Sequence, residues 1–386
     1  MLINFIVKNY KSFYNENNLN LSLNIDSTHS ERVEENISKS MIVYGEKDSG
    51  KTSFVEAVTF VRMFALMSNY LDEKTPIGLV PNNSPNNASE NTTDFSFIFE
   101  KNNIKYEYSF SSTIEKVINE KLDIINSSNI TNIFKRTNTT EFVFNEDEKL
   151  LNNVKKCNKK NQLFLLSAWD CGYEKVDTVV DYIINDIIYF YHTNQSLKYN
   201  LQDVYLKNDI DEYNEFCLNL LKIEDESIIG LKIEENNFEI MKNLIDKLYK
   251  NNVYNKTENR KKDGYSIIVK HIDNNDEKRE YTLNLTEEPT SIKQICFFAP
   301  ALYYVIKEGK TLFVDDADKN FSTKILKHLI RLFNNKELNK NNAQLICFTQ
   351  DKNLLNIDIL KKDEVLLIKK DNDTGFSNLY RVDNFL

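Results

Sequence analysis

Apolar residues alternate with polar ones at Ile3, Phe5 and Val7, and again at Leu19, Leu21, Leu23 and Ile25. A period of two predicts half-buried strands, joined here around Lys11-Ser12-Phe13. The run Met41–Tyr44 predicts a buried strand. Phe54, Val55, Val58, Val61, Ala65 and Leu66 recur at helical spacing between Ser53 and Leu71, so that helix should pack against a sheet. Asn, Ser, Pro and Thr dominate from Asp72 to Thr93, which predicts a long surface loop. Phe95, Phe97 and Phe99 then alternate outward, Glu100 to Asn103 turn, and Tyr106, Tyr108 and Phe110 alternate back. This aromatic hairpin is extended by Leu122–Ile125 and Phe142–Phe144.

Residues 160–250 read as mixed helix, most apolar over Leu163–Trp169 and Val176–Tyr191. A second hairpin, Tyr265–Val269 with Glu280–Leu285, turns within Asp273–Glu277. A helix carrying Ile295, Phe298, Leu302 and Ile306 leads through Gly309 to the buried-strand run Thr311–Val314. A helix over Ser322–Phe333 and strands at Leu345–Thr349, Val365–Ile368 and Leu379–Val382 complete the pattern. Strand and helix alternate at both ends of the chain. The expectation is therefore one α/β domain built from residues 1–71 and 286–386, with 72–285 an inserted β and helical region.

The run Met41–Tyr44 is followed by GEKDSGKT, residues 45 to 52, and then by the predicted helix. Strand, glycine-rich loop and helix in that order fit a phosphate loop, G-x-x-x-x-G-K-[ST]. Gly45 and Gly50 permit tight turns and close backbone approach. The N–H groups of Lys47, Asp48, Ser49, Gly50, Lys51, Thr52 and Ser53 line the loop and the positive end of the helix, a setting for phosphates. Lys51 is the expected contact of the β- and γ-phosphates of ATP, and Thr52 the hydroxyl on Mg²⁺. With 8 glycines in 386 residues, such spacing is a specific signal. A phosphate loop requires a carboxylate beside Mg²⁺ and a group that orients water. Asp315 and Asp316, directly after the apolar run Thr311–Val314, supply them: Asp315 toward the metal, Asp316 toward water.

Composition narrows the partners. A net charge of −9 gives no global attraction to nucleic acid or an anionic membrane, so nucleic-acid contact would need a local patch. Lys155, Lys156, Lys159 and Lys160, and Arg260, Lys261 and Lys262, are the candidates, each read first as a solvated loop. The five cysteines are odd in number and never spaced C-x-x-C, which fits a reducing cytoplasm rather than a disulfide or zinc framework. No apolar stretch reaches membrane-spanning length, so no membrane association is expected.

These elements together resemble the ABC/SMC-like AAA-type ATPases of bacterial phage-resistance systems. Those are the RloA and abortive-infection ATPases, akin to the ATPase modules of overcoming-lysogenization-defect nucleases. The resemblance rests on NYKSF (Asn9–Phe13), the phosphate loop, NQLFLLS (Asn161–Ser167) and VKHIDNN (Val269–Asn275). It continues through EPTSIKQI (Glu288–Ile295), FVDDAD (Phe313–Asp318), LICFTQDKNLL (Leu345–Leu355) and KKDEVLLIKK (Lys361–Lys370). It implies a P-loop NTPase of ABC/SMC head type with a β-hairpin and helical insertion. It further implies head-to-tail pairing into a homodimer or higher homo-oligomer, ATP and Mg²⁺ as cofactors, and a partner effector, often a Toprim-type nuclease. Lys11 would join the nucleotide contacts. The signature loop would fall at Glu288–Lys293, with Ser291 facing the nucleotide of the opposite head, and Asp318–Phe321 would meet that head.

Several positions depart from the family pattern. Ser291 stands where a glycine is usual, Asp316 where a glutamate is usual, Gln350 where a histidine ends the switch strand, and Lys47 where an asparagine is common. Gln350 can donate a hydrogen bond but cannot carry the charge of an imidazole. Lys51, Thr52 and Asp315 are kept, so retained ATP binding with slow hydrolysis, involving Lys51, Asp316 and Gln350, is the expectation. The competing readings are an ATP-binding structural subunit without turnover, and a DNA-repair ATPase of the RecF or Rad50 kind.

Other chemistry is sparse. His29, His192, His271 and His328 are the only histidines and none has a His or Cys at metal spacing. His271 is read as structural or at an interface. The aromatic hairpin, residues 95–110, is read as core ahead of a base-stacking platform.

Overall fold

The computed structural model describes residues 1–23, 37–82, 92–126, 129–190, 209–236, 264–273, 276–355 and 360–382. His29, His192, Ile25 and the Arg260–Lys262 cluster lie outside them. The chain divides into two compact units. The first comprises Met1–Gln195, Val305–Lys319 and Leu326–Leu386; the second comprises Ser196–Tyr304 and Asn320–Ile325.

From the N-terminus the first unit has β1 (Leu2–Lys8), β2 (Asn17–Asn20), β3 (Ser40–Gly45) and α1 (Lys51–Met67). Then come β4 (Thr93–Lys101), β5 (Ile104–Ser112), β6 (Val117–Ile125), β7 (Ile130–Thr137) and β8 (Glu141–Phe144). Helices α2 (Glu148–Cys157), α3 (Phe164–Asp170) and α4 (Asp177–Asp181) lead to the short strand β9 (Ile187–Phe190). The second unit holds α5 (Ile210–Glu224), β10 (Ile228–Asn236), β11 (Gly264–Asp273), β12 (Asp276–Asn284) and most of α6 (Thr290–Glu308). The chain then gives β13 (Thr311–Val314), α7 (Ala317–Asn320), α8 (Thr323–Asn334), β14 (Gln344–Thr349), β15 (Val365–Lys370) and β16 (Ser377–Arg381).

Two sheets make the first unit. One is antiparallel, in the order β2-β1-β4-β5-β6-β7-β8. Its hairpin β4–β5 turns on Asn102 and Asn103, both at positive φ (55° and 60°), the turn whose twist matches that of the strands. The other sheet runs β16-β15-β3-β14-β13-β9, parallel except for β16. β13 and β14 are buried at every position, as expected of parallel strands covered on both faces. Helix α1 is apolar toward both sheets. Phe54 meets Phe5 of β1 and Phe348 of β14, at ring separations of 5.6 and 5.8 Å, and Phe60 and Phe64 meet Phe95 and Phe110.

Three expectations need correction. The aromatic hairpin and its extensions pair directly with β1, so they belong to the unit that carries the phosphate loop rather than to an insertion spanning 72–285. The run Val176–Tyr191, read as helix, ends in β9, which extends the parallel sheet beside β13; a short continuous apolar run does not distinguish the two states. The segment Thr290–Lys293, read as part of a loop, is the first turn of α6. The hairpin aromatics Phe95, Phe97, Phe99, Tyr106, Tyr108 and Phe110 are all buried, which leaves them to the core and not to nucleobases.

One polar side chain ties the two sheets together. Gln344, fully buried at the start of β14, accepts from Leu2 N–H (2.6 Å) and from Thr311 Oγ1 (3.0 Å). Its amide donates to Leu2 O (2.9 Å) and Ser38 O (3.1 Å). Removing one partner of a buried network leaves the others unsatisfied. Gln344→Leu is therefore expected to destabilise the fold by about 2–4 kcal/mol, read as a lower denaturation midpoint at an unchanged m-value.

Candidate functional site

The C-terminal ends of the parallel strands bring the predicted residues together. β14 lies between β3 and β13, so the phosphate loop after β3, Gln350 after β14 and Asp315-Asp316 after β13 emerge at one edge. In open parallel sheets ligands bind along this edge.

The loop's conformation follows from its two unusual φ angles. Asp48 (62°) and Gly50 (109°) are left-handed, which lets the chain reverse and enter α1 with Gly50 at its N-cap. A Cβ on Gly50 would collide with Ser377 and with Ser12 Oγ, 2.9 Å away. A Cβ on Gly45 would strike Ser49 Oγ and come within 2.9 Å of Ile368 O. Both glycines are thus required by close packing against β15, β16 and the Asn9–Phe13 segment. Ser12, Ser49 and Ser377 each keep a buried hydroxyl with no hydrogen-bond partner among the described residues. Glu46, Lys47 and Asp48 are exposed, and Ser53 is half-buried in the first turn of α1.

Lys51 is buried, and its ammonium donates to the carbonyls of Gly45 and Glu46, 2.8 Å each. Burial lowers its pKa, against the pull of Asp316, Asp318 and Asp315. Thr52 lies beside Asp315 and draws the pKa of that carboxyl down. Asp315 is 4 % exposed, and burial pushes its carboxyl up to about 6, with Asp316 adding to the rise and Thr52 opposing it. A hydroxyl beside one carboxylate is what the protein would contribute to a Mg²⁺ site completed by phosphate and water. Among the described residues no cluster of three or more His, Cys, Asp or Glu is placed to hold a metal by itself. The donor set fits Mg²⁺ carried in with a nucleotide.

Asp316 adopts φ 46° and its Oδ2 accepts from Lys319 Nζ at 2.6 Å. Asp318, foreseen only as part of a loop facing another head, has a role within the unit. Its Oδ1 accepts from Thr349 Oγ1 and Gln350 N–H, both at 2.8 Å, and so fixes the end of β14 to the end of β13. The ammonium of Lys11 pairs with Glu56 of α1 at 2.5 Å, while the adjacent Ser12 is the residue against Gly50. Ser291 belongs to the second unit, as does His271, which lies between Ser227 Oγ (3.0 Å from Nδ1) and Glu288 Oε1 (2.9 Å from Nε2) in a buried network. Ser12 and Ser377 were missed as loop neighbours. NYKSF was a visible signal for the first, whereas Ser377 carries none.

Residues 40–356, most of the chain, match the family described as "AAA domain, putative AbiEii toxin, Type IV TA system", and the chain belongs to that family. Comparison with curated proteins returned no match. Membership makes this an AAA-type, nucleotide-binding ATPase domain of the abortive-infection class. Among the described residues no helix is long and apolar enough to cross a membrane.

The raised carboxyl of Asp315 gives a stability test in the apo protein. A carboxyl whose folded pKa lies above its unfolded value costs stability once ionised, fully so above about pH 6. Asp315→Asn should raise the melting temperature at pH 8, and the gain should vanish as pH falls from 6 toward 4. Melting curves across that range check it.

Proposed function

We propose that this member of the AAA-domain family is an ABC/SMC-head-type ATPase that binds Mg²⁺-ATP and hydrolyses it slowly. In this reading the phosphate loop holds the β- and γ-phosphates through backbone N–H groups and Lys51. Thr52 and Asp315 are the residues that would hold Mg²⁺, which would supply charge neutralisation to the phosphates when bound. Asp316 is the water-orienting carboxylate, and Gln350 donates a hydrogen bond toward the γ-phosphate. The observation that carries the reading is Lys51, buried with its ammonium bridging the carbonyls of Gly45 and Glu46, at the same site as Thr52 and the buried Asp315.

Slow turnover follows from the remaining residues. Asp316 is one methylene shorter than glutamate and its carboxylate is bound by Lys319. Gln350 carries no charge, and Ser291 has a side chain where close approach to a second head's nucleotide favours glycine. Weakened positioning and electrostatic terms each cost about tenfold to a thousandfold in rate. The protein then acts as a nucleotide-dependent switch. ATP favours assembly of heads into a homodimer or higher oligomer, and the assembly restrains or releases a partner effector in anti-phage defence. A Toprim-type nuclease is the effector class the family resemblance favours.

Equilibrium titration should find Mg²⁺-ATP binding in the wild type and a loss of at least about tenfold in Lys51→Ala, in keeping with a charge-assisted phosphate contact. Phosphate release should fall far below the ~1–10³ s⁻¹ of ordinary enzymes. Fast turnover that Lys51→Ala abolishes would refute the switch reading, and binding with no phosphate release at all would favour a purely structural ATP-binding subunit.

A further inference from the structure

Three carboxylates, Asp315, Asp316 and Asp318, stand beside the phosphate loop, and each has a different partner. Asp315 faces Thr52, Asp318 holds Thr349 and Gln350, and Asp316 faces Lys319. The third pairing differs from the others in kind. Asp318 and Asp315 are tied to groups of the fold itself, whereas the partner of Asp316 is a long side chain that is 50 % exposed. An ammonium has three donors, and the hydrogen bond of Lys319 among the described residues uses one, to Asp316 Oδ2. The backbone of Lys319 is fixed at the same time: its N–H donates to Asp316 O at 2.9 Å in the first turn of α7. The tether is rigid and the charged end is not enclosed.

A γ-phosphate held by Lys51 and Thr52 would bring about two further negative charges to this cluster. Close like charges repel, and Asp316 cannot face the phosphate unshielded without cost. Lys319 is the nearby cation able to relieve that repulsion, since it already acts electrostatically on Lys51 and on all three aspartates. Gln350, at the end of the neighbouring strand, is neutral and does not share the task.

We infer that Lys319 reads the terminal phosphate of the bound nucleotide, its ammonium moving from Asp316 to the γ-phosphate when ATP rather than ADP fills the loop. The inference rests on the ATP reading above. In the absence of a γ-phosphate the lysine occupies Asp316 and keeps that carboxylate from a water molecule. In its presence the lysine bridges to phosphate, and Asp316 is freed at the moment its role begins. No covalent bond changes in this exchange; one ion pair replaces another.

Equilibrium binding of ADP and of a non-hydrolysable ATP analogue, with Mg²⁺, tests it through the ratio of the two affinities. The wild type should prefer the triphosphate, and Lys319→Gln should cut the preference about tenfold while leaving ADP affinity near its original value, the size of one charge-assisted contact. Lys319→Arg should keep it. Asp316→Asn, an exchange that the left-handed backbone there tolerates, should raise the preference, since it frees the lysine and removes a like charge. An unchanged ratio in Lys319→Gln overturns the inference alone. Failure of the wild type to bind either nucleotide overturns it together with the ATP reading.

Discussion

Helix α1 is held between two sheets, and the position of the phosphate loop depends on that. Phe54, one turn into the helix, packs edge-on against Phe5 and Phe13 and lies 5.8 Å from Phe348. Its ring therefore touches the antiparallel sheet, the Asn9–Phe13 segment and the parallel sheet at once. Lys51 and Thr52 lie in the same first turn, so the helix cannot shift its phosphate-facing end without breaking contacts on both sides. Close-packed interiors resist such displacement. Gln344 adds a polar fastening across the same gap, through Leu2 on one side and Thr311 on the other. The loop is then closed from behind, where Ser377 N–H donates to Ser12 O at 2.8 Å and the two serines fill the space that a Gly50 side chain would need.

The sequence carried most of the strands and the loop, because alternation and a glycine-rich motif are local signals. It placed Asp315 and Asp316 directly after β13, and it set residues 45–52 between β3 and α1, although Gly45 ends the strand and Lys51 and Thr52 already belong to the helix. It did not carry the pairing of β4 with β1, since pairing between distant strands leaves no mark in either strand's own pattern. The long Asn- and Ser-rich segment before the hairpin made an insertion look natural, although Phe97 sits opposite Phe5 in a continuous sheet. β9 was lost for a different reason: four apolar residues following a helical stretch fit either state.

Motif fragments that looked functional also separate into two kinds. In NQLFLLS, Asn161 donates to the carbonyls of Asp72 and Thr75 and Gln162 to that of Asn69, which pins α3 to the segment after α1. Glu120 receives the N–H groups of Phe164 and Leu165 at the start of the same helix. These residues support the unit and do not reach the loop. NYKSF is mixed: Lys11 is spent on Glu56, and Ser12 is the residue that meets the loop. The resemblance pointed to the lysine, and it is Ser12 that lies against Gly50.

The acidic run after β13 shows how backbone conformation assigns different work to one residue type. Asp315 follows a buried strand and is itself buried, so burial raises its pKa while Thr52 opposes the rise. Asp316, one residue on, takes a left-handed φ that turns it away, and its N–H caps the Asp315 carboxylate at 3.0 Å. Asp318, a turn later, reaches back to Thr349 and Gln350 and joins the ends of β13 and β14. A change at Asp316 is therefore felt by both neighbours: through its own N–H at Asp315, and through the short helix at Asp318. Left-handed non-glycine residues cost on the order of 1–3 kcal/mol and persist where the surroundings fix them. Here the surroundings are the Asp315 carboxylate on one flank and the Lys319 ion pair on the other, and both hold Asp316 in that conformation.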